Sequence, residues 1–257
     1  METRREREFE FELPIGYVDA DGLAHRTAVL RKMTGRDEAL MSEKRNRNNA
    51  ARLITELLAG CLIRLGTIER PGPKVVQSLY SADRHFLLVK LRQITFGAEM
   101  GANYPCPTCR ESNEVIENLA ELEVVGLSDG EVPADIVVQL EDGYVDRDGA
   151  AYDTLVFRHA VGEDEEKIAP AIRENPSHGK NALMARCLKA MGDMPRQRVE
   201  ALGTAVFSDL TLGDRALIDR ALNEGGPGVR MRRELNCQHC GRQFNAMLDM
   251  SNFLAPS

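Results

Sequence analysis

The sequence predicts an α+β fold made of two tandem, pseudo-symmetric copies of one unit, each a β-hairpin followed by two helices and a Cys-x-x-Cys knuckle. Three observations carry this expectation. Segments of the first half recur in the same order in the second half. Apolar residues change from strand-like alternation to helical spacing at matching places in both. Each half ends on one cysteine pair, Cys106/Cys109 and Cys237/Cys240. The copies are placed at 9–124 and 136–254, and the two are expected to pack as one unit.

The repeat opens with Gly16-Tyr-Val-Asp-Ala-Asp-Gly22, which returns as Gly143-Tyr-Val-Asp-Arg-Asp-Gly149 at an offset of 127. In the same register Thr27, Val29, Arg31, Gly35, Asp37 and Glu38 meet Thr154, Val156, Arg158, Gly162, Asp164 and Glu165. Cys61-Leu62 and Gly66 meet Cys187-Leu188 and Gly192 at an offset of 126. After a short insertion, an offset of 131 carries Asp83-Arg84 onto Asp214-Arg215 and Cys106/Cys109 onto Cys237/Cys240. Turn composition alone explains a shared Asp-x-Asp-Gly. It does not explain a conserved order of segments at nearly constant spacing.

Taken along the chain, Phe9, Phe11 and Leu13 alternate with glutamates as a half-buried strand does. Asp19–Gly22 is a turn, and 27–32 the returning strand. Thr34-Gly-Arg-Asp-Glu38 opens a long helix, with Asp37 and Glu38 in its favourable first turn. Leu53, Leu57, Leu58, Cys61, Leu62 and Leu65 form its apolar face, and Gly66 ends it. Ser81 is the expected N-cap of a second helix through Leu87, Leu88, Leu91 and Ile94, closed by Gly97. In the second copy Thr211 or Gly213 starts the counterpart, which runs to the Gly225-Gly226-Pro227-Gly228 turn. Leu127–Pro133 reads as the linker.

The cysteines carry the chemistry. A zinc knuckle takes two thiolates at i and i+3 on a tight turn, and a second such turn completes a tetrahedral four-thiolate site. Prolines surround Cys106, and Gly241 after Cys240 is suited to the left-handed conformation that returns a knuckle to its strand. The pairs stand far apart in sequence for a zinc ribbon. Packing of the two copies about a pseudo-twofold axis brings them together, so Cys106, Cys109, Cys237 and Cys240 are expected to share one structural zinc. Read alone, Cys106-Pro-Thr-Cys109 also fits a redox dithiol. With four cysteines present, His239 is expected to be a bystander. Cys61 and Cys187 read as buried small hydrophobes.

Other features read as scaffold. Asp19/Asp21 and Asp146/Asp148 lack the glutamate that completes a calcium loop, and are turn residues. His25, His85, His159 and His178 have no partners at metal spacing. Lys44-Arg-Asn-Arg-Asn-Asn49 is the one local basic run, assigned to a solvated helix face. A net charge of −7 gives no general attraction to phosphate backbones. The N-terminus has no apolar core of a secretory signal, and no apolar run approaches the ~18 residues of a membrane span. The chain is therefore expected to be cytoplasmic. No nucleophile elbow, P-loop or dinucleotide fingerprint occurs. No catalytic constellation is found, so the expectation is a protein that is not an enzyme.

The succession Thr34–Glu38, Ser81-Ala-Asp-Arg-His-Phe-Leu-Leu88, Arg92-Gln-Ile-Thr-Phe-Gly97 and Cys106-Pro-Thr-Cys109 resembles the T4-type bacteriophage baseplate family, over about residues 10–125. That family includes hub subunits and hub assembly chaperones of phage tails and contractile injection systems. The second copy departs from the pattern, reading Asp219–Gly225 where the first has Arg92–Gly97. The resemblance implies a non-enzymatic tail assembly protein whose partners are baseplate or hub proteins, carried in the cytoplasm or in a phage-like particle. It implies no small-molecule substrate, and the acidic balance of the chain weighs against a nucleic-acid partner. Two other classes stay open on the residues alone: a zinc-ribbon regulator or nucleic-acid adaptor, and a thiol oxidoreductase.

Overall fold

The computed structural model describes residues 7–43, 48–128, 130–249 and 253–254. The charged N-terminus ahead of Arg7, positions 44–47 of the basic run and Asp129 of the expected linker lie outside them. The first half runs β1 (Glu8–Val18), β2 (Ala24–Arg31), α1 (Gly35–Ser42), α2 (Ala50–Cys61), β3 (Leu62–Leu65), β4 (Ile68–Glu69), α3 (Pro73–Ser78) and α4 (Ser81–Phe96). The ribbon β5 (Glu99–Pro105) and β6 (Ser112–Asn118) follows, then a 3-10 turn and β7 (Val124–Val125). The second half runs β8 (Ile136–Val145), β9 (Ala151–Phe157), α5 (Gly162–Glu174), α6 (Pro176–Cys187), β10 (Leu188–Met191), α7 (Arg196–Leu202), α8 (Ala205–Asp209) and α9 (Leu212–Glu224). It ends with β11 (Gly228–Val229) and a second ribbon, β12 (Arg232–Asn236) and β13 (Gln243–Met247). The fold is α+β, as expected.

Both hairpins turn on an aspartate. Asp19 Oδ1 accepts from the amides of Asp21 (3.0 Å) and Leu23 (2.9 Å). Asp146 Oδ1 accepts from Asp148 and Ala150 at 2.9 Å each. This is turn chemistry, as read from the sequence. His25 does have a close partner: its Nε2 lies 2.9 Å from Asp19 Oδ2, in a hydrogen bond that braces the turn.

The long helix of the sequence reading is instead two helices and a strand. α1 stops at Glu43 in an extended conformation, and Asn49 caps α2 by accepting from the Arg52 amide. After Cys61 the chain becomes β3, pairing Leu65 with Ala28 and Leu62 with Leu30. Leu62 and Leu65, three apart, fit one helix face, but pairing along the edge of β2, with a register shift between Val29 and Leu30, overrides that spacing. Gly66, at φ +55°, therefore turns β3 into β4 rather than ending a helix. Ser81 is the first residue inside α4 and Tyr80 its cap, because the first helical bond, from the Arg84 amide, goes to Tyr80 O (3.0 Å), one residue earlier than expected. Gly97 closes that helix at φ +101°, and Thr211 caps α9 by accepting from the Asp214 amide. Each half also contains more helices than the two expected.

Buried charges organise both halves. Arg31 forks onto Asp37 (2.7 and 2.9 Å) and donates to Gly60 O; Arg158 forks onto Asp164 (2.6 and 2.9 Å) and donates to Arg186 O. Burial would raise the carboxyls of Asp37 and Asp164, but the arginines and the Thr34 and Val161 amides hold both below the usual range. Asp37 thus anchors a strand to a helix, beyond the helix-end role read from the sequence, while Glu38 is exposed. At the start of α4, Asp83 accepts from the amides of Ile15 (2.9 Å) and Gly16 (2.8 Å), where β1 slips register against β2. Asp214 does the same for Glu141 (2.7 Å) and Gly143 (2.9 Å) of β8.

There are two hydrophobic cores. One contains Leu13, Leu30, Leu57, Leu87 and Leu91, together with Cys237, Phe244, Leu248 and Phe253 from the end of the chain. The other contains Leu155, Phe157, Met184, Val206, Phe207 and Ile218. The second ribbon therefore packs on the first core. Strands β7 and β11 pair where the chain crosses back.

Arg84 joins the two bodies. Fully buried, it donates to Thr55 Oγ1 (2.9 Å), Val76 O (3.1 Å) and Ala51 O (3.0 Å), and to Glu165 Oε2 across the joint (3.1 Å). Beside it, Tyr80 and Val161 form a β-bridge, flanked by Ser81 N–H to Ala160 O (2.9 Å) and Gly162 N–H to Leu79 O (3.0 Å). Glu166 accepts from Gln77 (2.9 Å) and bonds to Thr55. Removing one partner of a buried charge network strands the others without water. Arg84→Met is therefore expected to cost about 3 kcal/mol or more. Arg215→Met, which removes a half-exposed side chain bonded to Ser177 Oγ (3.1 Å), should cost within about 0.5 kcal/mol. Urea unfolding of the two variants checks the contrast; equal losses would contradict the role given to Arg84.

Candidate metal centre

Each knuckle is built from its ribbon. In the first, the Cys106 amide donates to Glu111 O (2.9 Å) and the Arg110 amide to Cys106 O (2.9 Å). In the second, Cys237 N–H donates to Arg242 O (2.8 Å) and Gly241 N–H to Cys237 O (2.9 Å). Gly241 takes the expected left-handed conformation (φ +71°), and Arg110 takes it too (φ +66°), without the freedom of glycine. These turns aim both sulfurs of a pair to one side.

The four Sγ atoms of Cys106, Cys109, Cys237 and Cys240 all lie within 4.8 Å of one another. Cys106 and Cys240 are 3.7 Å apart, Cys109 and Cys237 3.6 Å. Disulfides need ~2.05 Å, so these are free thiols. A tetrahedral zinc ion at ~2.3 Å from each sulfur places the sulfurs ~3.8 Å apart, which these distances match. Four sulfur donors suit zinc or another thiophilic metal and leave no site for a hard, oxygen-seeking cation.

The electrostatics favour a cation there. Amides of Cys240 and His239 direct their dipoles at Cys237 and hold its thiol down at about 6. Those of Cys109 and Thr108 (3.4 Å) lower Cys106 in the same way. At Cys109 the Glu111 amide is outweighed by burial and by the other three sulfurs, and its thiol is pushed up to about 12. Thiolate formation is thus assisted by the backbone but resisted once charge accumulates, which a bound dication relieves.

Side chains outside the four cysteines fix the two ribbons together. Asn113 Oδ1 accepts from the Gln238 amide (2.8 Å), and Asn113 Nδ2 donates to Tyr104 O (3.0 Å). Glu117, buried, receives Tyr104 OH (2.8 Å) from its own ribbon and Arg233 (2.8 Å) from the other. Tyr104 is pushed up by burial and by that carboxylate. These partners carry no motif, and nothing in their spacing identifies them. His239 is exposed and bonds to Ser112 O (3.2 Å), outside the sulfur cluster. Cys61 and Cys187 are buried in separate cores, as expected. Burial and then the neighbouring Asp37 or Asp164 push their thiols up to about 12 and about 11, which makes them poor nucleophiles.

A cleft between the halves, about 480 Å³, is lined largely by apolar side chains such as Ile15, Met184, Leu222 and Val229. Charged groups at its rim pair with one another: Lys180 with Asp219 (3.2 Å), Arg232 with Glu224 (2.6 Å). Among the described residues no helix is long and apolar enough to cross a membrane.

A family model described as T4 bacteriophage base plate protein matches residues 6–255. No curated protein and no solved structure matches the chain. The match takes in both ribbons and both knuckles, and so extends over the second half, where the sequence pattern departs from the first. On that coverage the chain belongs to the T4 bacteriophage base plate protein family.

Proposed function

We propose that this chain is a non-enzymatic hub or tail assembly protein, a chaperone or structural component, of a phage tail or contractile injection system. Its two halves are copies of one unit, 9–124 and 136–254, and one structural zinc on Cys106, Cys109, Cys237 and Cys240 staples them. The observation that carries the functional reading is the family match over nearly the whole chain. Its partners are then other baseplate or hub proteins, met in the cytoplasm or in the particle. The self-paired charges at the rim of the cleft between the halves and the inert Cys61 and Cys187 support a non-catalytic role. The zinc-ribbon nucleic-acid adaptor is weakened by the net charge of −7.

The repeat is supported by shared devices at matched positions. The Arg31–Asp37 and Arg158–Asp164 forks, the Asp83 and Asp214 clamps on strand amides, and the Asp19 and Asp146 turns recur in order. Gly66 and Gly192, at φ +55° and +51°, both donate to the matched threonines Thr27 and Thr154 at 2.7 Å.

Two outcomes test the proposal. Cys109→Ser and Cys240→Ser should damage the protein alike although they lie in different halves. Each leaves three crowded thiols without their cation, and the second ribbon should come free of the first core. Limited proteolysis should then cut near Gly130 in both variants and in chelator-treated wild type; variants as resistant as the parent would sink the shared site. For function, deleting the gene should block assembly of contractile particles while their components are still made. Normal particles in a clean deletion would remove the assembly reading.

A further inference from the structure

The joint between the two bodies is used in one direction only, and its other two faces are open. On the proposed repeat, the start of α4 in the first copy docks on the start of α5 in the second. The matched surfaces are the start of α9 in the second copy and the start of α1 in the first. Those two do not touch: Arg215 bonds to Ser177, and Glu38 is exposed. Gly162 shows what the joint requires, since a Cβ there would lie 2.5 Å from Arg84 Nη1. The matched Gly35 has nothing within 4 Å of such a Cβ, and a depression lined by Arg31, Thr34, Gly35 and Arg36 stands open at that place. On the opposite face Leu212, at the position of Ser81 in the closed joint, is 81% exposed, the most exposed large hydrophobic among the described residues. Behind it, buried Asn181 Oδ1 has no hydrogen-bond partner, where the matched Thr55 has Arg84 and Glu166.

We infer that these two faces are the halves of an intermolecular joint, and that the partner is a second copy of this chain docked head to tail. Arg215 of one molecule sits on Gly35 and pairs with Glu38 of the next, as Arg84 sits on Gly162 and pairs with Glu165. Leu212 N–H and Gly35 N–H pair with Met33 O and Leu210 O, the counterparts of the two backbone bonds in the closed joint. Arg215 and Glu38 are opposite in charge, and Leu212 is buried on contact. Such a heterologous contact leaves one free face of each kind at the ends, so it propagates into a ring or a short filament rather than stopping at a twofold dimer. The inference rests on the repeat proposed above.

Sedimentation velocity of the full zinc-loaded chain over a concentration series tests it. Wild type should rise about twofold or more in weight-average mass, through a series of species. Gly35→Leu fills open space in the free chain, so it should keep the wild-type circular dichroism and melting curve yet remain at one chain mass. Arg215→Glu and Glu38→Arg should each remain single, and an equimolar mixture of the two should regain the mass, since each supplies the charge the other now needs. A wild-type chain that stays single at every concentration, association untouched by Gly35→Leu, or a mixture that fails to recover overturns the docking. The repeat falls on a different result, an experimental structure with Cys106 and Cys237 on unlike elements. Copies that superpose in a chain that stays single remove only the head-to-tail contact.

Discussion

Four sulfur atoms within 4.8 Å of one another are the constraint around which this chain is arranged. To bring them together, the last ribbon must leave the body it follows and pack on the first core, where Phe244, Leu248 and Phe253 complete the apolar contacts. The β7–β11 pairing, the Glu117–Arg233 ion pair and the Asn113–Gln238 bond all lie along that return path. Thiolates held this close repel one another, so without a cation the arrangement works against its own charge. With one, metal binding becomes folding free energy, shared by residues more than a hundred positions apart.

The two halves meet in two different ways, and each has its own consequence. At the ribbons, Cys106 faces Cys240 (3.7 Å) and Cys109 faces Cys237 (3.6 Å), so each sulfur of one knuckle stands against one of the other. At the bodies, Arg84 reaches Glu165, while Arg215 bonds to Ser177 and Glu38 is exposed. A closed four-sulfur cluster and a one-directional contact at Arg84 therefore coexist in one chain. The first gives internal rigidity. On the proposed repeat, the second leaves the surfaces at Gly35 and Leu212 without a counterpart within the chain.

Much of this was legible in the sequence because it rests on short-range chemistry. Aspartate turns at Asp19 and Asp146, the left-handed Gly241 and the two knuckles are local patterns, and they stand where the residues placed them. The errors lie where tertiary partners decide. Leu62 and Leu65 fit a helix until the edge of β2 claims them as a strand. Ser81 has the chemistry of a cap, but Tyr80, bridged to Val161 of the other half, accepts the first helical bond and becomes the boundary. Arg84 was visible as a matched residue, yet its burial depends on four partners scattered from Ala51 to Glu165. The same holds for Asn113 and Glu117, whose cross-ribbon bonds have no sequence signature.

The central claim is that one zinc ion is held by four thiolates, two from each half. X-ray absorption at the zinc edge of the purified full chain tests it most directly. The account predicts one zinc per chain and a first shell of four sulfurs at ~2.3 Å with no nitrogen. A shell containing a histidine nitrogen, a different metal in the site, or protein made under reducing conditions with no metal at all would contradict it.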